Sequence, residues 1–351
     1  MSITEGPATV PRIVARLAAT GVPFGIRSAL TALATLWLAM WLQLDEPRWA
    51  AWTVMALALP TRGQVGQKGA WRVLGTLAGL AAGLAGVAAF AQQSLAMGLF
   101  LSGWFALAAW AGGRLPGFAA HGAALAGLTA GLIAILSAAS PLSAFSIALG
   151  RGAAIILGVA CVYAASALAE IAAPARPAPA VPVALPKPAS AAANGWRTLM
   201  VGATGWIVWT ATAWPSGGIF VLFAGVVAIV FSTIPDSDRR ARTYLAGACL
   251  GQAAGLAVRY GLLTAPASFG LLAALLFPFL FVGALGMTDA RSTPPALGYN
   301  LAFLIAVEPT NPMAYDLSGS LNEGLALVSG IAFAAASFRF VYPRRVWRIA
   351  A

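Results

Sequence analysis

Two ionisable residues at corresponding places in long apolar segments offer the clearest chemistry in this sequence. Arg151 stands in LGRGAAIILG and Glu323 in LNEGLALVSG, and a glycine follows each of them, Gly152 and Gly324. A charge at the centre of a membrane helix costs about 2.5 to 3.5 kcal/mol, so such residues face a cavity or a partner. We hypothesise that Arg151 and Glu323 pair in the resting protein, and that Arg151 exchanges Glu323 for the carboxylate of an anionic ligand. A structural ion pair and two separate interface residues are the alternatives.

Three further ionisable residues are candidates for ligand binding. Arg27 and Arg72 stand near the starts of apolar segments, where they either snorkel to lipid headgroups or form a vestibule that attracts anions. His121, in GFAAHGAAL, either carries a proton, since its reference pKa is about 6.5, or packs as a hydrogen-bonded interface residue.

Catalytic and metal-binding patterns are missing from the sequence. It has no nucleophile triad, no phosphate-binding loop and no cysteine or carboxylate at ligand spacing from His121. Cys161 and Cys249 lie inside apolar segments, where a small buried hydrophobe is the expected role. We therefore expect no enzyme activity, no metal and no cofactor.

The composition is that of an integral membrane protein. Of 351 residues, 60% are hydrophobic and 9% are charged, with a mean hydropathy of +0.84, whereas soluble domains carry about 25% charged residues. Since about 20 apolar residues span a bilayer, we searched for blocks of that kind. The twelve blocks run approximately over 24–43, 48–61, 71–91, 95–112, 117–138, 144–168, 196–214, 217–234, 243–264, 267–286, 294–308 and 323–342.

The charges predict the orientation of these blocks. With a cytoplasmic N-terminus, nearly all basic loop residues fall on the inside, while Asp45, Glu46, Glu308 and Asp316 fall outside. The net charge of +11 is then explained by membrane-facing loops rather than by nucleic-acid binding. The first block carries Arg27 and lacks a small-residue cleavage site, so we expect a transmembrane helix and not a signal peptide.

A Pro and Ala-rich stretch divides the chain into two halves of one plan. An offset of about 170 to 172 residues places Gly75, Gly79 and Gly83 on Gly247, Gly251 and Gly255, and Arg27 near Arg197. We infer an internal duplication of six helices, and because six is even the repeats are parallel. The predicted fold is an all-α integral membrane protein of about twelve transmembrane helices: a first repeat over 1–171 with a short cytoplasmic N-terminus, a cytoplasmic linker over 172–194 and a second repeat over 195–351.

The second block, 48–61, looks too short to span a bilayer. Its counterpart, 217–234, is long enough, so we expect the shorter block to cross as well, with Trp49 and Trp52 at the outer interface.

The sequence around this block resembles the fusaric acid resistance protein family, also called the aromatic acid exporter family. The resemblance covers the first half well and the second half through the duplication. It rests on a P-x-W-A-x-x-T-V stretch followed by P-x-x-G and R-x-x-G-T, and its residues are Arg27, Pro47, Trp49, Ala50, Thr53, Val54, Pro60, Gly63, Lys68, Arg72, Gly75, Thr76, Arg151 and Gly158.

This resemblance implies an inner-membrane efflux protein of Gram-negative bacteria that exports aromatic carboxylic acids and related amphiphiles. Members commonly work with a periplasmic adaptor protein and an outer-membrane channel. Longer members place a large hydrophilic cytoplasmic domain after each six-helix bundle, where this chain has the linker and nothing further. We therefore expect a compact member, with a truncated chain as the alternative.

The predicted function is efflux of small aromatic or amphipathic organic acids across the bacterial inner membrane, with both termini cytoplasmic. The alternatives are an anion channel and a non-transporting scaffold subunit. The expected partners are membrane lipids, a small anionic aromatic substrate, the adaptor and the outer-membrane channel, with a homo-oligomer as a further option and no nucleic acid.

Overall fold

The protein is a bundle of α-helices. The computed structural model describes residues 21–60, 64–172, 188–264 and 268–341, and its twelve α-helices in these ranges match the twelve predicted blocks. The all-α membrane fold is thereby confirmed. The helices are α1 (Val22–Trp41), α2 (Arg48–Leu57), α3 (Val65–Phe90), α4 (Ser94–Gly112), α5 (Phe118–Leu136), α6 (Ala144–Ala172), α7 (Pro188–Thr212), α8 (Gly217–Ser232), α9 (Ser237–Ala257), α10 (Phe269–Gly286), α11 (Thr293–Val307) and α12 (Leu317–Phe340).

Several of these helices have the length and composition of membrane spans. Seven helices of the described ranges are long and apolar enough to cross a bilayer, and α8 and α11 are shorter apolar helices. The outer surface of the bundle exposes large apolar side chains such as Leu99, Leu149 and Leu250. Such a surface is suited to lipid and not to water. The protein is a multi-pass membrane protein.

The end of the predicted linker is wrong. Positions 188–194 belong to the first turns of α7, which begins at Pro188. Proline is tolerated in the first helical turn because its missing N–H has no intrahelical partner there, and the alanines that follow favour a helix. The middle of the predicted linker, 173–187, lies outside the described residues.

Helix α2 is short because it lies inside the protein. Its ten residues span about 15 Å, half the hydrocarbon thickness. Trp49 and Trp52 are buried among α1, α6 and α11, so their predicted place at the outer membrane interface is wrong. Helices can end at membrane depth where protein rather than lipid surrounds the freed backbone groups.

The same helix pairs pack together in both halves. Helix α3 packs along α5 and α9 along α11, while α2 packs on α6 and α8 on α12. Between the halves, α4 packs on α7 as α10 does on α1, and α5 packs on α8 as α11 does on α2. Each of these pairings recurs with a shift of six helices. This recurrence supports the predicted duplication.

Glycines at equivalent positions let these pairs approach closely. A Cβ on Gly75 of α3 would overlap the backbone of Gly122 in α5, and a Cβ on Gly247 of α9 would overlap the carbonyl of Pro295 in α11. Small residues allow this backbone contact between membrane helices. The glycine faces of α3 and α9 are therefore packing surfaces.

Candidate functional site: buried cations along helix α2

One face of α2 meets three cationic side chains from other helices. Trp49, Trp52, Thr53 and Ala56 recur at the i, i+3, i+4 and i+7 spacing that places residues on a single helical face. Helices α3 and α6 both pack near this face and supply Lys68, Arg72 and Arg151. We refer to Arg72, Arg151, Trp49 and Trp52 as the α2 site.

Arg151 lies over an indole ring inside the protein. Its guanidinium carbon is 3.7 Å from the centroid of the Trp49 ring, and the residue is 4% exposed. This arrangement is a cation–π contact, which gains strength when the pair is desolvated. The guanidinium nitrogens Nε and Nη1 are buried and have no hydrogen-bond partner among the described residues. Arg151 thus carries a buried charge with unused donors.

Arg72 repeats this arrangement one helical turn further along α2. It is 1% exposed, its guanidinium carbon lies 5.4 Å from the Trp52 ring centroid, and its Nη2 donates to Oγ1 of Thr53 at 3.2 Å. Its Nε and Nη1 are also buried and unbonded within the described part of the chain. Arg72 and Arg151 interact electrostatically, so two like charges share the interior.

Lys68 and Arg27 hold the end of α2. Lys68 Nζ donates to the carbonyl of Ala56 at 2.8 Å, and Arg27 Nη2 donates to the carbonyl of Leu59 at 3.3 Å. The last carbonyls of a helix have no intrahelical donor, and cations there also complement the helix dipole. These contacts stabilise the broken end of α2. They place Arg27 at the helix end rather than on the Trp49–Ala56 face.

His121 lies in the first turn of α5, beside the same cations. It interacts electrostatically with Lys68 and Arg72, and its Nε2 is buried without a hydrogen-bond partner in the described ranges. His121 therefore lies next to two of the cations that meet α2.

The expected pairing of Arg151 with Glu323 is wrong. None of the ion pairs among the described residues joins them. Helix α6 packs on α2 and α3, whereas α12 packs on α8 and α9, so the two residues face different neighbours despite their equivalent positions in sequence. Glu323 is exposed and interacts electrostatically with Glu308, Arg48 and Arg259.

An ion-pair network lies at the start of α2. Arg48 pairs with Glu46 at 2.8 Å and with Glu308 at 2.6 Å, and Glu308 also pairs with Arg259 at 2.6 Å. We refer to Arg48, Glu308 and Arg259 as the Glu308 bridge. Neither this bridge nor the cation–π role of the two tryptophans was predicted from the sequence. The helical spacing that places Trp49 and Trp52 on one face with Thr53 could have indicated that the tryptophans share a site.

The remaining motif residues shape the backbone around α2. Pro47 is the residue before the helix, and Gly158 of α6 lies so close to Ala50 and Thr53 that a Cβ would overlap both. Thr76, one turn beyond Arg72, has a buried hydroxyl without a partner in the described chain. Pro60 follows the end of α2, and Gly63 lies outside the described residues.

A separate cavity shows by contrast what the α2 site offers. It has a volume of about 220 Å³ between α3, α4, α5 and α7, and Trp206 and Trp209 line it beside Met97. Its described lining contains no charged residue. This cavity offers aromatic, aliphatic and hydroxyl contacts without charge, whereas the α2 site combines aromatic faces with buried positive charge.

Unpaired buried cations call for an anion. A buried charge without a counter-charge is unfavourable, and an anion that accepted the free guanidinium hydrogens would remove that cost. Arginine binds carboxylates through two parallel hydrogen bonds, and indoles accept aromatic rings. The described residues contain no group of His, Cys, Asp and Glu that could hold a metal ion. The α2 site thus combines buried guanidinium donors with indole faces.

Comparison with known proteins identifies the family. The sequence model of the fusaric acid resistance protein family matches residues 22–181 and again residues 169–351. The chain belongs to the fusaric acid resistance protein family. That the two matches fall on the two halves agrees with the predicted duplication and confirms the resemblance seen in the sequence.

Curated relatives of this family match part of the chain. The uncharacterized transporter GOX0755 of Gluconobacter oxydans is 30% identical over 137 residues, which is 39% of this chain and 18% of the relative. The p-hydroxybenzoic acid efflux pump subunit AaeB of Musicola paradisiaca is 29% identical over 148 residues, 40% of this chain and 23% of the relative. The uncharacterized transporter YdhK of Escherichia coli K12 is 30% identical over 142 residues, which is 39% of this chain and 21% of the relative. The matched part thus spans about a fifth of these relatives. No solved structure matches.

Proposed function

We propose that this protein exports small aromatic carboxylic acids across the bacterial inner membrane and that the α2 site binds them. The observation that carries the proposal is the pair of buried guanidinium groups, Arg72 and Arg151, each in cation–π contact with an indole and each with two unbonded nitrogens. Its relative from Musicola paradisiaca is named as a subunit of a p-hydroxybenzoic acid efflux pump. An aromatic carboxylate has the charge and the ring that this site would complement.

Each residue of the site has a distinct role in this proposal. Arg151 and Arg72 bind the carboxylate, and Trp49 and Trp52 hold both the guanidinium planes and the aromatic ring. Lys68 fixes the end of α2 and adds positive potential, and His121 lies beside it. Arg27 positions the chain after α2 through the Leu59 carbonyl. Glu323, which does not reach Arg151, is not part of the binding site.

The proposed protein partners rest on membership of the family alone. As a subunit of an efflux system, the protein would work with a periplasmic adaptor protein and an outer-membrane channel, with its termini in the cytoplasm. Catalysis has no role in this function, and the expected chemistry is binding and release.

Direct transport is the test. We expect the purified protein in liposomes to move radiolabelled p-hydroxybenzoate, and Arg151→Gln and Arg72→Gln each to reduce the initial rate at low substrate by at least about tenfold, since a hydrogen bond to a charged group contributes about 1.5 to 3 kcal/mol. The matched control is Arg242→Gln, whose guanidinium forms an exposed ion pair with Asp238. Full transport by both site variants would refute the assignment of the site.

An anion channel is the second candidate, because cations along one helix face are also suited to line an anion pore. Electrical recording in planar bilayers separates the two. A large anion current that does not saturate would favour the channel, whereas slow, saturable flux favours the transporter. A scaffold subunit would give neither signal.

A further inference from the structure

The Glu308 bridge joins the two halves of the molecule next to the α2 site. Arg48 is the first residue of α2, whereas Glu308 follows α11 and Arg259 follows α9. Glu308 accepts a charged contact from each arginine at 2.6 Å. The side chains of Arg48, Glu308 and Arg259 are 13%, 24% and 3% exposed, so the bridge is largely shielded from solvent and from its screening.

The backbone holds Glu308 in an unusual place. Glu308 has φ 45° and ψ 62°, a left-handed conformation that is unfavourable for residues other than glycine and is often found at functional sites. Arg259 lies in a π-helical turn, Val258–Leu262, another feature that is frequent at functional sites. Arg259 also donates to the carbonyls of Ala306 and Ala314. Arg259 is thus fixed by backbone contacts, while Arg48 is the partner that can be released.

The bridge and the ligand site share one aromatic ring. The guanidinium carbon of Arg48 lies 5.8 Å from the centroid of Trp49, and that of Arg151 lies 3.7 Å from the same centroid. Arg151 also interacts electrostatically with Arg48 and Glu46. Separation of Arg48 from Glu308 would therefore free the start of α2 and allow the Arg48 guanidinium to move away from the Trp49 ring.

We infer that the Glu308–Arg48 contact is the gate that closes the α2 site toward the end of the bundle where α2 begins. Glu308 stays bound to Arg259 of the second half, and opening consists of its separation from Arg48 of the first half. In the predicted orientation this end faces the periplasm. The inference rests on the proposed function in that it assigns the gate to the same site.

Cysteine labelling tests the gate without transport. A reporter cysteine is placed at Ala56, which lies on the α2 face beyond Trp52, in a protein whose Cys161 and Cys249 are replaced by serine. Intact cells are then treated with a negatively charged, membrane-impermeant methanethiosulfonate reagent. We expect slow labelling in this background and at least about tenfold faster labelling after Glu308→Gln.

Two further variants define the contact. Arg48→Gln breaks the same contact from the other half, and the double variant should label no faster than the single ones because the Arg48–Glu308 contact is the one that both variants remove. Asp238→Asn, which breaks the exposed pair with Arg242, should leave the rate unchanged. An unchanged labelling rate in folded Glu308→Gln protein overturns the gate. If Glu308→Gln does not accumulate in the membrane, an unchanged labelling rate in Arg48→Gln overturns it instead.

The outcome separates the gate from the proposed function. Faster labelling in the two gate variants, together with no transport of p-hydroxybenzoate by the unmodified protein, would support the gate and refute the substrate. Normal transport with unchanged labelling would refute the gate alone.

Discussion

The two halves of this protein share a scaffold and differ in the charges that it carries. In the first half, α3 contributes Arg72 and α6 contributes Arg151; at the equivalent positions of the second half stand Tyr244 and Glu323. Arg72 and Arg151 are buried with free donors, while Glu323 is exposed. A repeated set of helix contacts therefore does not require a repeated site.

The central helices differ in the same sense. Trp49 and Trp52 of α2 correspond to Ile219 and Leu222 of α8, so the second half offers no indole face at these positions. The donors of its own buried arginines are occupied: Arg259 pairs with Glu308, and Arg197 donates to the side chain of Asn194 and to the carbonyl of Val341. The comparison teaches that buried guanidinium groups with unused donors, and not buried charge as such, distinguish the candidate site from the packing around it.

The largest expected effect concerns what the halves share. Gly75→Val and Gly247→Val should both abolish accumulation of folded protein, because any side chain would overlap the backbone of the facing helix. Detergent extraction followed by size-exclusion chromatography measures it. Gly103→Val is the control, since a Cβ there meets no atom within 4 Å. Tolerance of valine at only one of the two positions would break the symmetry of the scaffold.

The scaffold could be predicted from sequence because its signals are local. The lengths of the apolar segments predicted the twelve helices, and the alignment of Gly75, Gly79 and Gly83 with Gly247, Gly251 and Gly255 indicated the repeat. The burial of α2 was not predictable in this way, because its apolar face and the aromatic residues at its start fit a lipid interface as well as a protein interior. Only its packing against α1, α6 and α11 distinguishes the two.

The candidate site, like the scaffold, could be predicted from sequence only in part. Arg72 and Arg151 could be chosen as candidates because a charge in an apolar segment is costly wherever it lies. Their partners depend on which helices meet, and equivalence in sequence gave the wrong partner for Arg151. Glu308 stands after α11 in sequence, and its contact with Arg48 joins residues from different halves.

The next largest effect is on stability, and its sign should differ between the halves. Arg259→Met should destabilise the protein by about 3 kcal/mol, because it removes one partner of a buried pair. Arg151→Met should leave stability unchanged or raise it, because it removes a buried charge that lacks a counter-charge.

Thermal unfolding in detergent, in a buffer that contains no carboxylate, measures this contrast. Arg242→Met provides the control, and its change should stay within about 1 kcal/mol because its ion pair is exposed. Destabilisation by Arg151→Met comparable to that by Arg259→Met would mean that Arg151 is held by contacts of its own and does not await an anion.

Ligand binding should stabilise the protein through the first half alone. At one hundred times its dissociation constant, p-hydroxybenzoate should raise the free energy of unfolding by about 2.7 kcal/mol. We expect Arg72→Gln to remove this stabilisation and Tyr244→Phe, at the equivalent position, to retain it. Denaturant titration with and without ligand measures both. Equal losses in the two variants would indicate a site shared between the halves.

The smallest expected effect concerns the hydroxyl that positions Arg72. Thr53→Val keeps the shape of the side chain and removes the oxygen that accepts from Arg72 Nη2 at 3.2 Å. Loss of one such bond corresponds to about 1 kcal/mol, so the dissociation constant for p-hydroxybenzoate should rise about fivefold in equilibrium binding. Thr35→Val is the matched control, because that hydroxyl bonds only to its own helix at Thr31. Tighter binding by Thr53→Val would mean that the hydroxyl competes with the ligand for Arg72, and that the guanidinium must leave Thr53 before a carboxylate can bind.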